Sequence, residues 1–153
     1  MATQRGQQAR DEKAREAAAK ALSEEELKRL HASYRRELTD HVEACLEQLA
    51  DNFPGFHYEA VMNEHGWGGQ VRRDDLDLTQ GRRDTLFSRL QLVVSPHNRY
   101  NVLSLAAKGA IRNKESFSRS HYQELQEVDL QTFKDLIEQW TLDYAEQFAS
   151  AGA

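Results

Sequence analysis

Cysteine, proline and long apolar runs are what this 153-residue chain has least of, and each scarcity excludes something. Cys45 is the single cysteine, so no internal disulfide can staple the fold, and a lone thiol fits a reducing, cytoplasmic setting. No apolar segment approaches the roughly 20 residues that span a bilayer. Met1 to Lys20 also lacks the apolar core of a secretory signal. Catalytic signatures are missing as well. There is no Gly-x-Ser-x-Gly elbow and no His-Glu-x-x-His, and Gly66-Trp67-Gly68-Gly69 lacks the Lys-Ser/Thr of a phosphate loop. Cys45 falls in the middle of a helical pattern, away from a helix N-terminus that would lower its pKa. The expectation is a non-catalytic protein without a cofactor or a metal.

What the chain does hold is enough for a small core under a wet surface. Hydrophobic residues make up 39% and thirteen are aromatic, while charged residues reach 29% and mean hydropathy is −0.79. That balance reads as a compact core bearing long solvated helices. Charge is sorted by segment. Residues 66–122 carry ten Lys/Arg against five Asp/Glu, residues 1–65 nine against thirteen, and residues 123–153 one against seven. A basic middle thus lies between two acidic ends, although the overall pI near 5.7 argues against generic nucleic-acid binding.

Residues 1–22 form a charged, Ala-rich extension whose helix formers have no apolar stripe to bury. They read as a solvated tail or a frayed helix. Ser23 and Glu26 then make a capping box. Leu27, Leu30, Tyr34, Leu38, Val42 and Leu46, continuing to Leu49 and Phe53, recur at helical steps. The spacing predicts a helix over 23–53, which Pro54-Gly55 ends. Residues 54–84 show no period and read as an irregular loop, in which Tyr58 to Met62 fits a short turn of helix or a strand, with glycines around His57, Tyr58, His65 and Trp67 and polar runs at Arg72–Asp77 and Gly81–Asp84.

Thr85 to Ser95 alternates as a strand, with Leu86, Leu90, Leu92 and Val94 on one face and Phe87, Arg89, Gln91 and Val93 on the other. After a turn at Ser95-Pro96-His97-Asn98, Tyr100 to Ile111 alternates again, burying Leu103, Leu105, Ala107 and Ile111. Glu115 to Tyr122 is a weaker third strand. Asp129 caps a last helix over 129–149, on which Leu130, Phe133, Ile137, Trp140, Tyr144 and Phe148 form the stripe. The expected architecture is a single α+β domain over 23–150. A long N-terminal helix, a three-stranded antiparallel meander over 85–122 and a C-terminal helix pack on one sheet face.

Two functional readings follow. A helix of this length outruns a three-stranded sheet, so the Leu27, Leu30 and Tyr34 end of its stripe is expected to overhang. An overhanging apolar stripe needs a second helix, which points to self-association or a protein partner. The alternative is an RNA- or other anion-binding module that uses the uncovered sheet face, where Arg89, Lys108 and Arg112 lie with Phe87 and Tyr100 nearby. Helix, three strands and helix is also the order of double-stranded-RNA-binding domains. Those present lysines where this chain opens its last helix with Glu127-Val128-Asp129, so the likeness stops there.

The remaining clusters read as structural. His41 and Cys45 share a helix face but lie beside the apolar stripe, where Cys packs as a small hydrophobe. His57, Glu59, Glu64 and His65 match no closed metal site. Asp74, Asp75 and Asp77 lack the Gly and distal Glu of a calcium loop, and Arg72, Arg73, Arg82 and Arg83 offer local ion pairs instead. Trp67 is either a binding tip or a side chain tucked onto the core.

Overall fold

The computed structural model describes residues 2–78 and 84–151. Helix α1 (Ala2–Asn52) is followed by strands β1 (His57–Asn63), β2 (Gly66–Asp77), β3 (Asp84–Val94), β4 (Val102–Ile111) and β5 (Lys114–Glu124). A 3-10 turn, Leu125–Glu127, leads into helix α2 (Leu130–Ala151). The strands form one antiparallel sheet in the order β1-β2-β3-β4-β5. The fold is therefore α+β with a five-stranded meander, and no helix among the described residues is long and apolar enough to cross a membrane.

The two strands missing from the sequence reading, β1 and β2, fall in residues expected to be an irregular loop. Strand β1 is a sheet edge, exposed or half-exposed throughout, so burial imposes no alternation on it. In β2 the period is hidden by glycines placed where backbone approaches backbone. A Cβ at Gly68 would fall on the carbonyl oxygen of Leu92 in β3, which leaves only glycine at that crossing. The polar run Arg72–Asp77 carries β2 outward, paired with β3 as far as Asp77 and Asp84. Of the expected polar loop, Gly81, Arg82 and Arg83 lie outside the described residues.

Helix α1 also differs at its start. It runs unbroken through Ser23, so the capping box is not used as a helix N-terminus. At 51 residues it is about 75 Å long. Residues 9–15 are exposed, and the first described buried side chain is Leu27. From there the stripe meets the core as its spacing requires. Leu38, Val42, Leu46 and Leu49 pack with Phe133, Ile137 and Tyr144 of α2 over Leu90, Leu92, Leu103 and Leu105 of the sheet. Asp129 caps α2, its carboxylate accepting from the Gln131 N–H at 3.2 Å and the Thr132 hydroxyl at 2.9 Å.

The Leu27 end of the stripe is not left bare as expected, although α1 itself runs on past it to Ala2. Leu27 is 9% exposed, and it shares a hollow with Tyr100, Asn101 and Leu125 at one end of the sheet. His31 beside it is buried at 1% exposure, its ring edge-on to His97 of the β3–β4 loop at 5.5 Å. Loop and 3-10 turn thus cover the Leu27–His31 turn, midway along α1, that a three-stranded sheet would have left bare. Leu30 and Tyr34 are half-buried against the same core.

Candidate functional site

Both helices cover one sheet face, and the opposite face stays open. Strand alternation and register decide which side chains stand on it. Arg72 pairs with Arg89, Gln91 with Lys108, Val93 with Ala106, and Ser104 with Tyr122, all on the open side. Arg89 and Lys108 therefore share the uncovered face expected of them, and Phe87 stands with them.

That face is grooved because its tall and short side chains are segregated. Strands β3 and β4 raise Arg89, Gln91 and Lys108, while Ala106, Ala110, Ser118 and Ser120 form a low floor around them. A groove of about 570 Å³ lies on one side of Lys108, walled by Phe87, Arg89, Asn113 and Ser118. A second of about 280 Å³ lies on the other side, against Gln91, Val93, Ser95 and His65. Lys108 lines both.

The wall at Phe87 is held from behind. Asn113 accepts the Phe87 N–H at 2.8 Å through its side chain, donates its own N–H to Phe87 O at 2.8 Å, and reaches Thr85 O at 3.0 Å. Its place in the two-residue β4–β5 turn, with φ 49° at Arg112 and 69° at Asn113, makes that reach possible. The same turn separates Arg112 from the groove. Arg112 leaves the strand register, its N–H bonding to Ser88 Oγ at 3.0 Å, because chain reversal occurs one residue earlier than the alternation implies.

The charges of the groove are under-compensated. Arg72 and Arg89 are like charges directly opposite each other on adjacent strands, a pairing that costs stability. Asp74 relieves Arg72 at 3.4 Å, and the Phe87 ring takes the Arg72 and Arg89 guanidinium groups at 4.9 and 5.7 Å. Arg89 Nε is buried without an acceptor, and neither Arg89 nor Lys108 has a carboxylate in ion-pair range among the described residues. Glu115 is the one acidic residue lining the larger groove.

The other candidate clusters come apart. His41 Nε2 lies 3.1 Å from Glu138 Oε1 between the helices, off the line of a hydrogen bond. Burial pushes the half-buried Cys45 thiol up to about 11, which suits packing rather than reaction. His57 and Glu59 sit on β1 while Glu64 and His65 occupy the following turn, and no group of three potential ligands converges on a metal site among the described residues. Asp75 pairs with Arg73 at 2.9 Å on the helix side, away from Asp74. Trp67 is tucked, half-buried, beneath the Arg35 guanidinium at 4.1 Å. Tyr100 is 67% exposed in the β3–β4 loop, on the end where Leu27 is capped.

The sequence reading missed Arg72, whose place opposite Arg89 needs β2 to be a strand, and Tyr122, 68% exposed on β5. The signal for Tyr122 was its parity with Ser118 and Ser120. In comparisons with known proteins, no family model, no curated protein and no solved structure matches this chain.

Proposed function

We propose that the protein is a non-catalytic binding module whose open sheet face takes an anionic partner. The observation that carries this is the Arg89–Lys108 couple in one groove, neither of them with a carboxylate in ion-pair range among the described residues. A phosphate or carboxylate oxygen is the acceptor that a guanidinium and an ammonium standing in one groove fit. The like-charge pair Arg72–Arg89 adds a repulsion that a bound anion would remove. Retention on immobilised polyphosphate at about 50 mM salt, falling steeply as salt rises, is the expected behaviour. If Arg89→Glu with Lys108→Glu is retained as well as the unmodified protein, the reading fails.

A second reading is assembly through α1, with itself or another protein. It is favoured by the turns of α1 that precede Leu27 and by the exposed sides of Leu30 and Tyr34; Leu27 itself is spent on the core. Light scattering behind gel filtration addresses it, and a strict monomer at high micromolar concentration would sink it.

A further inference from the structure

We infer that the anion taken by the open face is a single strand of nucleic acid, laid diagonally from β2 to β5 with a base stacked on Tyr122. This rests on the anion-binding reading above and names its ligand class. Three cations stand in sequence across the sheet. Arg72 is directly opposite Arg89, and Lys108 lies on the next strand, two residues along from the position opposite Arg89. Strand geometry puts about 5 Å between the first two and roughly 8 Å between the second two. A chain of phosphates can meet all three at once.

The line continues to an aromatic. Tyr122 is opposite Ser104, four residues along β4 from Lys108 and on the same face, which places it about 14 Å beyond the last cation. Only Ser118 and Ser120 of β5 intervene on that side, so nothing blocks the path. Tyr122 is 68% exposed and belongs to no aromatic pair among the described residues. Three cations alone would serve any polyanion; an unpartnered ring at the end of the row selects one that carries flat apolar groups. Base edges passing over the floor would meet the Gln91 amide and the hydroxyls of Ser118 and Ser120, which donate and accept alike.

A duplex fits poorly. A double helix keeps its bases stacked inside and unavailable to Tyr122. Of the acids of the face, Glu59 is on β1 bonded to Gln70 at 3.2 Å, Glu115 lines the larger groove, Glu124 follows Tyr122 at the end of β5, and Asp74 is paired with Arg72 of the row.

The test compares three probes: a fluorescent ten-nucleotide uridylate strand, an RNA duplex of equal length, and inorganic polyphosphate followed by calorimetry. With three phosphate contacts the single strand should bind about 20-fold more weakly at 200 mM than at 50 mM salt, since log K falls with a slope of roughly −2. Tyr122→Ala should weaken the single strand by roughly five- to 150-fold and leave polyphosphate unchanged, while Lys108→Glu weakens both. Both side chains are exposed, so neither variant threatens the fold. If Tyr122→Ala binds the strand normally, or the duplex binds as tightly, the nucleic-acid inference is overturned while polyphosphate binding keeps the anion reading. If no probe binds at low salt, both fall.

Discussion

Tyr144 joins α2 to the sheet through one hydroxyl, and removing that oxygen alone has a calculable cost. The side chain is fully buried, and its hydroxyl donates to Ala110 O at 2.8 Å, beside the bulge where β4 and β5 slip register. Its ring stands edge-on to Phe117 at 6.2 Å and to Phe56 at 6.4 Å. Tyr144→Phe keeps those aromatic contacts and leaves the Ala110 carbonyl without that donor. The penalty for a buried acceptor so orphaned is about 1–3 kcal/mol. With a urea m-value of about 2 kcal/mol/M, the unfolding midpoint should fall by roughly 0.5–1.5 M at unchanged slope. Burial raises the phenol pKa well above its ordinary value, so the hydroxyl stays protonated and the loss should not vary across the neutral range. Tryptophan fluorescence, reporting Trp67 and Trp140, together with circular dichroism gives the midpoint. A change below about 0.3 kcal/mol would show that the hydroxyl is not a structural tie, against the expectation for a buried bond. Gly109→Ala offers a control at the same place. Its Cβ would sit 2.9 Å from Tyr144 Cδ2 and 3.0 Å from Phe117 Cβ, and overpacking of that kind costs about 1–3 kcal/mol.

Gly68→Ala should be worse than Gly109→Ala, because its Cβ meets the Leu92 carbonyl, which is backbone and cannot turn aside; equal unfolding midpoints for the two variants would contradict this. Burial, then His97 and Arg35, hold the His31 imidazole below its ordinary value despite a hydrogen bond at Ser95, and its Nε2 has no partner. The unfolded chain takes up that proton near pH 6.5 before the folded one does. Stability is therefore full above that pH and declines as pH falls through the lowered folded value, by at most about 1.4 kcal/mol per unit. His31→Leu should flatten this decline, and urea midpoints that fall in parallel for variant and parent on acidification would refute it. Arg89→Gln removes the like charge facing Arg72, so the unliganded protein should gain roughly 0.2–1 kcal/mol while losing polyphosphate binding; a marked loss of stability in thermal melts would show the arginine to be structural.

Helical stripes and the strands β3 and β4 were legible in the sequence because each buries one face, so that burial writes a period of 3.6 or 2 into the residues. Leu38 to Leu49, Phe133 to Phe148, and Leu90 with Leu92 and Val94 are such cases. Strand β1 was illegible for the opposite reason: an edge strand with little buried has no pattern to show. Gly68 hid β2, since a position that excludes any side chain contributes nothing to alternation. Those two strands explain why the candidate site was half seen. Arg89 and Lys108 sit on legible strands and were placed on the open face, whereas Arg72 depends on β2. Arg112 was misplaced by a turn that reverses one residue early. The cover over the Leu27–His31 turn of α1 is not legible, because nothing local in the sequence brings His97 and Leu125 over it.

The open face, and not a helix, is the proposed binding surface. Amide chemical-shift mapping of isotope-labelled protein during titration with polyphosphate tests it directly. Shifts should cluster at Arg72, Arg89, Gln91, Lys108 and Ser118 and fade as salt is raised. Shifts confined to α1 and α2, or no shift at saturating polyanion in low salt, would contradict it.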